Sequence, residues 1–164
     1  MHITGYQQVP LLGLWILSAL LNTIMQELLI RGYLYQLIKA QYSTAAAAIA
    51  TTALFTFLHG GALEAGIIPT LNVVTTSLLM GLVLEYTQSL LAPAVMHFLW
   101  NCIGGILLGG VSLAEDYPQL CRTEFTGPVL LSGGAPKMEG SIVVLLLNLL
   151  LIAGFAALLK KRKQ

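Results

Sequence analysis

Five apolar runs, at about residues 10–38, 43–59, 67–87, 91–111 and 141–159, take up most of this chain of 164 residues. About 20 mostly apolar residues cross the hydrocarbon core of a bilayer as a helix, and there a backbone must satisfy its own hydrogen bonds. Composition agrees with lipid as the main solvent: 57% of the residues are hydrophobic and 9% are charged, against roughly 25% charged in a soluble domain. Eight basic and seven acidic side chains cannot cover a water-facing surface of this size. The expected fold class is therefore all-α, a polytopic transmembrane helix bundle of about five spans, as a single membrane-embedded domain over residues 1–164. No heptad, alternating strand pattern or internal repeat competes with it.

Local signals place the ends of the runs. Pro10, Pro69 and Pro93 suit the first turn of a helix, where a missing N–H costs nothing, and Gly60-Gly61 suits a stop after the short, alanine-rich second run. Gly104-Gly105 and Gly109-Gly110 suit close packing. Residues 112–140, with Glu115, Asp116, Arg122, Glu124, Lys137 and Glu139, form the one long polar stretch and are expected as an extramembrane loop. The basic end, Lys160-Lys161-Arg162-Lys163, is expected on the cytoplasmic side of the cell membrane by the positive-inside rule. The first apolar run lacks a preceding basic region, so a cleavable signal peptide is not expected. A net charge of +1 gives no sign of a nucleic-acid partner, and none is expected. Cys102 and Cys121 show no disulfide framework and no metal-ligand spacing.

The ionisable residues inside the runs carry the chemistry. A charge in a span costs at least ~2.5–3.5 kcal/mol on insertion scales and usually marks function. Glu27 and Arg31 stand at i,i+4 and share a helix face, as do Phe55 and His59 on the second run, and His97 and Asn101 on the fourth. Each has a structural reading: an ion pair for Glu27 and Arg31, a cap for His59, interhelical glue for His97 and Asn101. Asn22, Asn72 and Asn148 read most simply as helix–helix contacts. Together, two histidines, a carboxylate and a guanidinium exceed what glue requires, and an enclosed polar site is the economical outcome. Depth argues the other way. His59 lies about 24 Å up its helix from residue 43 and His97 only about 10 Å up its own, so upright rods would hold them apart.

These residues resemble the motifs of the CPBP family of intramembrane proteases, the CAAX-processing, Abi and bacteriocin-processing group. Its Glu-Glu-x-x-x-Arg motif, usually followed by Gly, is similar to Gln26-Glu27-Leu28-Leu29-Ile30-Arg31-Gly32. Phe-x-x-x-His is matched by Phe55 to His59, and His-x-x-x-Asn by His97 to Asn101. The approach Thr87-Gln88-Ser89-Leu90-Leu91-Ala92-Pro93 and the Gly-Gly-x-x-x-x-Glu-Gly-Ser stretch at 133–141 also look like this family. The resemblance, which covers about residues 15–155, implies an endopeptidase acting on a membrane-associated substrate, prenylated or bacteriocin-like, through a water activated by Glu and His. It implies that His59 with a carboxylate polarises the water, that His97 and Asn101 donate to the oxyanion, and that Arg31 orients Glu27.

Two departures stand out. Gln26 replaces the first glutamate, and an amide cannot take a proton, so Glu27 is the in-motif carboxylate left for the base role. A catalytically inactive scaffold or immunity protein is the alternative. Family members also generally carry further helices before the first motif. No cofactor is expected; zinc stays open on Glu27, His59 and His97, as the label metalloprotease for such proteins implies.

Overall fold

A computed structural model describes residues 1–112 and 117–162. In chain order they form strand β1 (His2–Tyr6), helix α1 (Leu12–Gln41), α2 (Thr44–Leu58), the short α3 (Gly60–Ala65), α4 (Ile67–Thr87) and α5 (Leu91–Leu107). Strand β2 (Cys121–Glu124), the single turn α6 (Val129–Ser132), a 3-10 turn at Met138–Gly140 and α7 (Ile142–Arg162) complete the order. The five apolar runs are thus five helices. Three of them, α1, α4 and α7, are long and apolar enough to cross a membrane by length and composition, and α2 and α5 are shorter apolar helices.

Local chemistry accounts for the boundaries. Ser43 caps α2, its Oγ accepting the Ala46 N–H at 3.1 Å. At His59 the backbone leaves helical geometry (φ −102°, ψ 47°). The second helix stops just before Gly60-Gly61 as expected; these glycines then open the short α3, and Gly66 at φ 120° turns the chain into α4. Two helices widen. The stretch Leu28–Leu34 of α1 is π-helical, with the Tyr35 N–H reaching the Ile30 carbonyl, and Trp100–Leu107 of α5 is π-helical as well. A π turn takes one more residue than an α turn and rotates the faces on either side of it.

Helix α4 forms the centre of the bundle, buried over much of its length, and α7 lies along it with its leucines turned outward (Leu146, Leu147 and Leu150 exposed). Asn148 joins the two, donating to Thr75 Oγ1 at 3.1 Å and Thr76 Oγ1 at 3.0 Å, a helix–helix contact as expected. Asn72 does otherwise. Its Nδ2 donates to the carbonyls of Glu139 (2.7 Å) and Ser141 (3.0 Å), so it ties α4 to the polar segment. At the other end of α4, Glu85 pairs with Lys39 at 2.5 Å and the Tyr86 carbonyl accepts from Arg162. These contacts gather Lys39 and the basic end of α7 at one end of the bundle.

The bundle carries a small sheet that the sequence analysis did not anticipate. Strand β1 pairs antiparallel with β2, His2 opposite Glu124 and Tyr6 opposite Cys121, with an irregularity between Ile3 and Gly5. Both strands are largely exposed, so neither shows the alternation that a half-buried strand imprints on a sequence. The polar segment is also more than a loop. Its described part holds β2, α6 and the 3-10 turn, and folds back onto the helices. A Cβ on Gly104 would stand 2.7 Å from Val111 Cγ2, and one on Gly110 2.8 Å from Met138 Cε. Gly104 thus makes room for Val111, just past α5, and Gly110 for Met138 of this segment. Glu115, Asp116 and the basic Lys163 lie outside the described residues.

Candidate active site

Behind the cavity lies a sealed ionic knot. Glu27, with no exposed surface, ends the α-helical part of α1, and Arg31 follows one turn later in the π stretch. Arg31 Nη1 donates to Glu27 Oε1 at 2.8 Å, and Nη2 donates to Ser77 Oγ at 2.8 Å. Ser77 Oγ in turn donates to Thr52 Oγ1 at 3.2 Å. The guanidinium also lies over the Phe55 ring, 4.4 Å from its centroid. A charge buried this deeply stays charged only when it is paired and hydrogen-bonded, and α1, α2 and α4 together supply that environment.

The same Glu27 oxygen also accepts from His97 Nδ1 at 2.8 Å. This differs from the sequence expectation, in which Glu27 served His59. His59 instead points its Nδ1 at the Phe55 carbonyl, 2.8 Å away, on its own helix. A carbonyl only accepts, so Nδ1 carries the proton and Nε2 keeps the lone pair. Phe55 contacts Arg31 and both histidines: besides lying under the guanidinium, its ring stacks on His59 at 4.2 Å and meets His97 edge-on at 5.6 Å. The two histidine rings are 6.2 Å apart. The depth mismatch expected from upright rods is absent: the two rings lie side by side and line the same cavity.

A cavity of about 1140 Å³ opens in front of this knot. Gln26, His59, His97 and Asn101 line it, whereas Glu27 and Arg31 do not. The structure therefore brings all six expected residues into one neighbourhood but divides them into four facing the cavity and two sealed behind it. Sequence reasoning missed Ser77 and Thr52 as partners of the knot; a hydroxyl-rich patch in an apolar helix, Thr75-Thr76-Ser77, was the available signal. It placed Phe55 on one helix face with His59 but gave its ring no role.

Among the described residues no three of His, Cys, Asp and Glu are grouped to hold a metal ion. Glu27 Oε1 is already held by Arg31 and His97.

Residues 8–103, spanning all three motifs, match the family model described as type II CAAX prenyl endopeptidase Rce1-like. The chain belongs to this Rce1-like family. No curated protein and no solved structure matches it. Every cavity-facing residue of the Rce1-like motifs falls within the matched region, whereas the segment that packs over the cavity, from Tyr117 onward, lies beyond it. The chain is thus a helical membrane protein of a CAAX-type intramembrane protease kind.

Proposed function

We propose that this chain is an intramembrane endopeptidase that hydrolyses a peptide bond in a membrane-associated, prenylated substrate, with His59 as the general base. The observation that carries the reading is the orientation of His59. Its Nδ1–H is committed to the Phe55 carbonyl, leaving an unprotonated Nε2 on a ring that lines a cavity shared with His97 and Asn101. A base needs a lone pair within reach of the water it activates.

The steps follow from these groups. Nε2 of His59 takes a proton as water attacks the scissile carbonyl. Asn101 Nδ2–H and a protonated Nε2–H of His97 donate to the oxyanion that forms, and Glu27 supports the His97 imidazolium through Nδ1. His59 then passes its proton to the leaving amine, the C–N bond breaks, and an acid and an amine leave. Gln26 orients the water and Glu27 holds His97, which reassigns the carboxylate. The scheme uses no metal. By the positive-inside rule we assign the end of the bundle that carries Lys39 and the basic residues of α7 to the cytoplasmic side of the cell membrane.

A second reading has specific support. Gln26 cannot act as a base, and Glu27 is closed off from the cavity, as in a silent scaffold or immunity protein that binds peptides without cutting them. Reconstituted protein and a farnesylated CAAX peptide separate the two: cleavage by wild type that survives chelator and is lost in His59→Ala supports the peptidase. Binding without cleavage in wild type supports the scaffold.

A further inference from the structure

We infer that Asn22 and Tyr117 are positioning residues for Gln26, so that the segment packed over the cavity sets the geometry of the group facing the reacting water. The inference rests on the peptidase reading for its kinetic consequence, but not for its geometry. Asn22 lies one turn before Gln26 on α1, and its side chain is shared. Its Oδ1 accepts from Gln26 Nε2 at 3.3 Å, and its Nδ2 donates to the Tyr117 hydroxyl at 3.1 Å, 95 residues away in the chain. The Tyr117 ring meets Trp15 of α1 edge-on, with centroids 6.5 Å apart. Asn22, Gln26, Tyr117 and Trp15 all line the cavity.

Tyr117 accepts from Asn22 Nδ2 while Asn22 Oδ1 accepts from Gln26, so one amide ties Gln26 to the segment over the cavity. Oδ1 can only accept, so it takes the Nε2 end of Gln26. The remaining end of Gln26, Oε1, is buried and has no hydrogen-bond partner. A buried acceptor without a partner costs about 1–3 kcal/mol, and a turn of the amide toward the cavity that Gln26 lines, against its bond to Asn22, would relieve it. Tyr117 thus restrains the Gln26 side chain through Asn22.

The test is a double-mutant cycle on purified full-length protein with a fluorogenic farnesylated CAAX peptide. Tyr117→Phe, which keeps the ring against Trp15, and Asn22→Ala are each expected to lower kcat about two- to tenfold, the worth of one net hydrogen bond, with KM nearly unchanged. In a Gln26→Ala background neither change should reduce kcat further. Losses that multiply in that background, or effects confined to KM, overturn the inference. Side-chain amide NMR of glutamine-labelled protein reads the relay without turnover. The Gln26 resonance, assigned by its disappearance in Gln26→Ala, is expected to shift in Tyr117→Phe. An unmoved resonance rejects the relay even if the wild-type protein cleaves the peptide. A shift without any cleavage upholds the relay and rejects the peptidase reading instead.

Discussion

The Nδ1 of His97 lies 2.8 Å from Oε1 of Glu27, a contact between α5 and α1 that closes over 70 residues of chain. The same oxygen is already the acceptor for Arg31. Glu27 is therefore the joint between the ionic knot and the cavity: one carboxylate neutralises a buried guanidinium and holds a histidine whose ring faces the cavity.

Removing that joint should unfold the bundle rather than merely silence it. Glu27→Leu leaves Arg31 buried without its counter-charge, and a broken buried pair costs about 3–5 kcal/mol. The double change Glu27→Leu with Arg31→Met should recover much of that loss, since no charge is then stranded. Thermal unfolding followed by size-exclusion chromatography in detergent checks both. A double variant as unstable as the single one would contradict the role of the pair.

His59→Ala should behave in the opposite way. Its ring contributes a stack on Phe55 and a bond to a carbonyl of its own helix, so the midpoint of thermal unfolding should move by only a few degrees. Cleavage of a prenylated peptide should fall about 10²–10⁴-fold, the usual worth of a general base. Retained turnover would remove His59 from the chemistry.

Gln26→Glu should raise the rate about tenfold or more, because a carboxylate in the cavity can share the proton that His59 now takes alone. Asn22 can rotate its amide to donate to the new acceptor. Equal or lower kcat in the folded variant would count against Gln26 facing the water.

Asn148→Leu probes the packing of α7 on α4. It removes two donations to the hydroxyls of Thr75 and Thr76, and interhelical hydrogen bonds in membranes are worth about 0.6 kcal/mol on average, reaching about 1.7. A loss within that range, read by unfolding in mixed micelles, is expected with little effect on cleavage.

Gly133→Ala probes the segment over the cavity. Gly133 sits at φ +87°, and a Cβ there would stand 1.5 Å from the Lys137 carbonyl oxygen, which is backbone and cannot step aside. The loss should reach about 3 kcal/mol or more, since strain of about 1–3 kcal/mol adds to the clash. Faster proteolysis within 117–140, with α1 to α5 still protected, is the expected readout.

The chain's own order of residues determined the membrane environment, the helices and the contents of the site. Lipid as solvent followed from too few charges, and the pairing of Glu27 with Arg31 followed from i,i+4 spacing, because one helix fixes that distance by itself. The tertiary structure alone decided that Glu27 serves His97 and not His59, that Ser77 and Thr52 complete the knot, and that β1 and β2, far apart in the chain, pair up with Tyr6 opposite Cys121. Those contacts depend on where α2 stops, how α1 and α5 widen, and how the helices lean. Such quantities are set by packing between segments, and no local pattern encodes them.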